Sequence, residues 1–196
     1  PEVVDTCRIC RTWARHAPAV RTTTRISLRF NHSVQADLMF YADETRAVVA
    51  DYILLHMICE CIKWTVVEVV ADKGTDSLLN AMRKRWIQYF GPPDILIWDG
   101  EGSISSDEAK VWADKWNIDF IIRPKEKKAW IAERHHEILR IQLHKTQSQC
   151  ALEDLRVSFT DQILPEAVLA KNCLLSTGQG SPYISLYGRP PRLLPQ

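Results

Sequence analysis

The stretch that most constrains this chain is residues 93–103, Pro-Asp-Ile-Leu-Ile-Trp-Asp-Gly-Glu-Gly-Ser. Four consecutive apolar residues, Ile95 to Trp98, follow a Gly91-Pro92-Pro93 breaker and run straight into Asp99-Gly100-Glu101-Gly102. A short apolar run bounded by turn signals reads as a strand buried on both faces. Such strands belong to sheets covered on both sides by helices, which points to an α/β chain. The run ends on a carboxylate, and in an open α/β sheet the carboxyl end of a strand is where ligands and chemistry collect. Asp99 is therefore either the cap of a following helix or a functional group. Whether other carboxylates converge on it decides between the two.

The 196 residues, 46% hydrophobic and 25% charged, suit one globular domain with short extensions. There is no apolar run of about eighteen residues, so no membrane span and no membrane partner are expected. The opening Pro1-Glu2-Val3-Val4-Asp5 does not read as a signal peptide. A net charge of +1 neither requires nor excludes nucleic acid. The six cysteines (Cys7, Cys10, Cys59, Cys61, Cys150 and Cys173) do not form a disulfide framework, and a reduced intracellular setting is expected. Cys7 and Cys10 have the Cys-x-x-Cys spacing of half a zinc site, with no second pair after them, so no zinc site is assigned.

In chain order, residues 1–31 form a lead-in in which six arginines fall among Ala, Pro and Thr without a sustained period. A solvated linker and a basic arm on a phosphate backbone explain it equally well. Residues 34–41 read as a strand with Val34, Ala36, Leu38 and Phe40 on one face and Gln35, Asp37 and Met39 on the other. An Asp among strand formers is disfavoured by propensity and costly if buried unpaired. Two more antiparallel strands follow, turning near Glu60 to Lys63. Leu78, Leu79, Met82, Trp86 and Tyr89 recur at helical spacing and read as a core-facing stripe, ended by Gly91-Pro92-Pro93. After the Asp99 strand comes a helix with Val111, Trp112 and Trp116, then an apolar strand over 117–122. The element order is β-β-β-α-β-α-β.

The basic stretch Arg123-Pro124-Lys125-Glu126-Lys127-Lys128 reads as a loop before a long helix from Ala129. On that helix Ile131, Arg134, Ile138 and Ile141 line one strip, and Glu133, Glu137 and Arg140 a neighbouring one. A further helix covers Asp161 to about Cys173, with Ile163, Leu164, Val168 and Leu169 as its apolar positions, and the tail from 177 is expected to be irregular. Taken singly, Asp99 serves as well as a cap, Asp37 as a satisfied strand residue, and Glu133 as a solvated helix charge. His135-His136 reads as DNA-facing or structural rather than as a ligand. Trp130 fits either base stacking or the core.

Taken together, these positions resemble the catalytic core of retroviral and long-terminal-repeat (gypsy-type) retrotransposon integrases. That family carries an Asp within its first strand, an Asp ending its fourth, and a Glu on the helix beyond a flexible loop, and Asp37, Asp99 and Glu133 match in order and context. Further resemblance lies in Phe90-Gly91-Pro92-Pro93-Asp94, Glu133-Arg134-His135-His136, Ser181-Pro182-Tyr183 and Tyr187-Gly188-Arg189-Pro190-Pro191. Cys7 and Cys10 resemble the second half of the family's His-His-Cys-Cys zinc domain. Asp99-Gly100 stands where Asp-Asn-Gly is usual, residues 100–132 form a slightly short second interval, and the Gly often found before the Glu is missing.

The resemblance implies an RNase H-like fold, with a five-stranded mixed sheet whose first three strands are antiparallel, flanked by helices. It implies a core over 32–176, after the lead-in of 1–31 and before a tail of 177–196. Asp37, Asp99 and Glu133 would be the catalytic and metal residues. They would hold two Mg²⁺ or Mn²⁺ ions with the DNA substrate, because hard carboxylate oxygens suit these cations and paired cations suit phosphoryl transfer. The implied activity is DNA 3′-end processing and strand transfer, with element ends and target DNA as partners, in a homo-oligomer, inside the nucleus. Arg123, Lys125, Lys127, Lys128, Arg134 and Arg140 would meet DNA phosphates. Two alternatives stay open: a catalytically inactive or domesticated integrase-derived binding domain, and another RNase H-like nuclease.

Overall fold

The computed structural model describes residues 7, 27–43, 50–99, 104, 107–123, 130–178 and 180–192. Five strands form one sheet: β1 (Ser33–Asp43), β2 (Ala50–Cys59), β3 (Thr65–Val70), β4 (Ile95–Asp99) and β5 (Asp119–Arg123). Their spatial order is β3-β2-β1-β4-β5. The first three strands are antiparallel, with Val34 opposite Cys59 and Ile58 opposite Thr65. β4 joins β1 in parallel, pairing Ser33 with Ile95 and Ala36 with Trp98, and β5 follows β4 in parallel. This is the mixed sheet expected from the sequence. The turn between β2 and β3 falls at 60–63, and Lys63 (φ 62°) supplies the left-handed residue there in place of a glycine.

Between β3 and β4 the chain forms α1 (Thr75–Met82), continued by a π-helical turn (Arg83–Ile87) and a last turn (Gln88–Phe90). Gly91, at φ 76°, then breaks the helix in a conformation that any Cβ would strain. Asn31 clamps this corner: its amide donates to the carbonyls of Phe90, Gly91 and Pro92, and its oxygen accepts from Trp86 Nε1 at 2.8 Å. α2 (Asp107–Lys115) links β4 to β5 and buries Ala109 and Ala113, whereas Val111 is exposed.

Beyond β5 lie α3 (Trp130–Leu152), a π-helical turn (Phe159–Ile163) running into α4 (Leu164–Leu174), and α5 (Pro182–Tyr187). α5 falls where an irregular tail is expected. Ser181 caps it by accepting from Ile184 N, Pro182 supplies its fixed φ at the first turn, and Gly188 (φ 66°) ends it. Its Tyr183 and Leu186 pack on the main core.

The sheet is covered on both faces. Val34, Ala36 and Leu38 face α1 and α2 with Leu55, Met57, Leu96, Trp98 and Trp86. Met39, Tyr41 and Leu54 face α3 and α4, meeting Leu139, Leu143, Phe159, Ile163, Leu164 and Ala167. Three expectations change here. The Asp37 face of β1 is a second interior, with Gln35 and Met39 each 1% exposed, while Phe40 on the other face is 44% exposed. The buried strip of α3 is Ala132, His135, His136, Leu139, Leu143 and Gln147, and Arg134 is exposed. Polar residues are buried on α3 because β1 presents Gln35, Asp37 and Tyr41 to them. Leu169, expected as core on α4, is 46% exposed.

Candidate active site

Asp37 sits in the middle of β1, opposite His56 of β2, and its side chain is 17% exposed. Its Oδ1 accepts from the amide of Leu38 at 2.7 Å, and its Oδ2 lies 3.6 Å from Nδ1 of His136. Asp99 is the last residue of β4, opposite Arg123 of β5. Because Ala36 pairs with Trp98 on parallel strands, Asp37 and Asp99 are the next residue along each of two neighbouring strands. The side chain of Asp99 lies outside the described residues. Glu133, exposed, is in the first turn of α3.

Side-chain contacts position α3 along β1. Gln35 Oε1 accepts from the amide of Ala132 at 3.2 Å, and the Gln35 amide donates to Glu60. Asp37 meets His136, the carbonyl of Phe40 accepts from Arg140 at 3.4 Å, and the Tyr41 hydroxyl donates to Gln147. Glu133 thus lies on the helix between two residues, Ala132 and His136, that touch β1 at Gln35 and Asp37 respectively. The first turn of α3 thus runs alongside the Asp37 stretch of β1, whose neighbour is the end of β4. Among the described residues no cluster of three or more His, Cys, Asp or Glu side chains is placed to hold a metal ion.

Under α3 lies a buried polar layer that sequence reasoning did not assemble. His56 is fully buried, and its ring centroid is 4.8 Å from that of His136. Neither nitrogen of His56, nor His135 Nδ1, nor His136 Nε2 has a hydrogen-bond partner among the described residues. Burial holds all three imidazoles in their neutral form: the pKa of His136 falls to about 4, that of His135 to about 2, and that of His56 well below its usual value. The signal available in the sequence was Gln35 and Asp37 two apart on one strand, with paired histidines on a helix.

Of the residues expected to meet DNA, Arg134 is exposed next to Glu133, and Arg123 is half-buried at the end of β5. Arg140 is exposed but already donates to Phe40. Lys125, Lys127 and Lys128 lie outside the described residues, as does Cys10 of the Cys7–Cys10 half-site. The DNA-facing option for His135 and His136 is excluded by burial. The side chain of Trp130 is outside the described residues.

No protein-family model and no curated protein matches the sequence. Solved structures do match. The HTLV-2 integrase catalytic core domain, in complex with magnesium in its trimeric and dimeric forms, gives TM-scores of 0.64 and 0.66 at 18% identity, over 80% and 81% of this chain and 95% and 97% of those chains. The BIV integrase catalytic core domain gives 0.61 at 15% identity, over 81% of this chain and 95% of that one. The fold is that of a retroviral integrase catalytic core. A chain of the simian T-cell lymphotropic virus intasome, in complex with PP2A regulatory subunit B56 gamma, extends the likeness to 99% of this chain and 67% of that one, with a TM-score of 0.68 and 21% identity. This integrase-core fold, RNase H-like, is carried by the mixed sheet and its flanking helices. In it Asp37 lies mid-strand on β1, Asp99 at the end of β4 and Glu133 in the first turn of α3.

Proposed function

We propose that this chain is an integrase-like polynucleotidyl transferase of a long-terminal-repeat, gypsy-type retroelement, acting on DNA 3′ ends with a divalent metal. The observation that carries this reading is the coincidence of three carboxylate-bearing positions on the integrase-core fold. Asp37 and Asp99 end up adjacent on parallel strands, and Glu133 is on a helix tied to β1 on both sides of it. Single-residue explanations, a cap or a solvated charge, do not account for that convergence.

The donor chemistry of Asp37, Asp99 and Glu133 fits a hard cation such as Mg²⁺ or Mn²⁺, being carboxylate throughout with no thiolate or imidazole. When bound, such ions neutralise charge on the scissile phosphodiester and lower the pKa of the attacking hydroxyl. The chain's own contribution is placement. The amide of Leu38 orients Asp37, the Gln35–Ala132 hydrogen bond fixes the start of α3, and exposed Arg134 is placed to meet a phosphate next to Glu133. In the first reaction water attacks a phosphodiester near a DNA 3′ end, breaking the P–O bond and freeing a 3′-hydroxyl. In the second, that hydroxyl attacks a phosphodiester of target DNA and expels its 3′-oxygen. Assembly as a homo-oligomer on element ends in the nucleus belongs to the same reading.

A labelled oligonucleotide duplex with a recessed 3′ end, incubated with plasmid target and Mn²⁺ or Mg²⁺, tests it. Joined product is expected with the chain and is expected to fall by roughly 100-fold or more with Asp37→Asn or Glu133→Gln. Undiminished product from these variants would refute the assignment. Cleavage confined to strands carrying 2′-hydroxyls would move the chain to another RNase H-like nuclease.

A further inference from the structure

The geometry points to His136 as a positioning residue for Asp37, its imidazole N–H steadying the carboxylate in the orientation that receives the metal. This rests on the metal-site reading above.

Four observations support it. His136 Nδ1 lies 3.6 Å from Oδ2 of Asp37, and the His136 side chain is 8% exposed, so bulk water does not compete strongly for that nitrogen. A separation of 3.6 Å is too long for a hydrogen bond, but a shift of less than about 1 Å brings the pair into range. Such contacts are commonly loose before ligands bind. Secondly, the ring has little freedom to turn away. It lies against the fully buried ring of His56, and α3 is held by Ala132 one turn earlier and by Arg140 one turn later. Thirdly, the other ring nitrogen, Nε2, is buried with no hydrogen-bond partner among the described residues, so Nδ1 is the nitrogen with a polar group in reach.

The fourth observation concerns the acid itself. A carboxylate offers about four lone-pair sites. The Leu38 amide occupies one on Oδ1, and a proton on Nδ1 of His136 would take one on Oδ2. Both oxygens are then oriented by the protein. Groups that orient a metal-binding carboxylate in this way typically alter metal affinity 10–100-fold when removed. A buried imidazole serving only as packing has no reason to direct a nitrogen at Asp37.

The test is Mn²⁺ binding by the full chain, read from the electron paramagnetic resonance signal of the free ion, with urea unfolding as a check on folding. His136→Phe keeps a ring against His56 but has no donor, whereas His136→Asn loses the ring and keeps an N–H. The expected result is a rise of about 10-fold or more in the Mn²⁺ Kd for His136→Phe and a change within about threefold for His136→Asn. His136→Leu replaces the Phe variant if that one does not fold. A folded Phe or Leu variant with wild-type Kd would overturn the proposal, and so would an Asn variant that loses affinity as far as Phe does. Asp37→Asn separates the two readings. If it abolishes Mn²⁺ binding while His136→Phe does not, only the positioning role fails; if it too binds normally, the metal site itself is wrong.

Discussion

Lys171 is 3% exposed on α4, and its ammonium donates to the hydroxyl of Thr65. Burial pulls its pKa from 10.5 to about 7. The sign of the linkage follows. Between about pH 7 and 10.5 the unfolded chain binds the proton that the folded chain has released, so stability rises with pH across that window. Below about pH 7 the lysine is charged in both states, and the full cost of the buried ammonium opposes folding. Lys63 is shifted in the same direction by partial burial, so the wild-type slope is not due to Lys171 alone. Comparison with a variant isolates it. Lys171→Met is expected to flatten the rise in urea midpoint between pH 7.5 and 9.5 and to stabilise the protein at pH 6 by roughly 1–3 kcal/mol. An unchanged slope in the variant would show that Lys171 does not titrate in this window.

At the scale of elements, α4 is fastened to the edge strand β3 by a side chain that imitates a peptide group. The Asn172 oxygen accepts from Thr65 N at 2.9 Å, and its amide donates to Thr65 O at 2.8 Å. Thr65 belongs to the outermost strand, so its outward backbone groups have no neighbouring strand to pair with. Removing the carboxamide leaves a buried N–H and a buried C=O without partners. Asn172→Ala should therefore cost about 2 kcal/mol or more in urea unfolding, and a loss below about 0.5 kcal/mol would show that water replaces it. This bond could not be read from the sequence, because Asn172 lies at a helical position where a solvated amide is the ordinary expectation. The same holds for α3. The isoleucine strip was legible as apolar, but the helix buries His135, His136 and Gln147. Which face of a helix is buried depends on what the opposing strand offers, and β1 offers Gln35, Asp37 and Tyr41. Strand β4 needed no such partner information, since Leu96, Ile97 and Trp98 are apolar on both faces and are buried on both.

For the whole molecule, the legible part of the fold was the order of elements up to α4, because most of these are announced by their own period and breakers, whereas α5 was not. The candidate site was legible as three acids on three elements, but not the buried layer beneath it, which arises only when α3 and α4 close over β1. That closure has a thermodynamic consequence. It leaves Asp37 only 17% exposed, against the neutral imidazole of His136, with Asp99 next along the neighbouring strand. Burying a carboxylate costs free energy unless donors or a cation offset it, so the folded chain carries a local cost around Asp37. On the proposed metal-site reading, a divalent cation would relieve that cost only in the folded state and so stabilise folding by mass action. The melting temperature should rise with added MnCl₂ at constant ionic strength, by the equivalent of about 2.7 kcal/mol at a concentration 100 times the Kd. Asp37→Asn should reverse both halves of the effect: it removes the buried charge, raising the metal-free melting temperature, and it removes a ligand, abolishing the dependence on Mn²⁺. Calorimetry of the two proteins with and without the ion decides it. A wild-type melting temperature indifferent to Mn²⁺, or an Asp37→Asn protein that gains as much from the ion as wild type, would show that the acids at this end of the sheet do not act as one site.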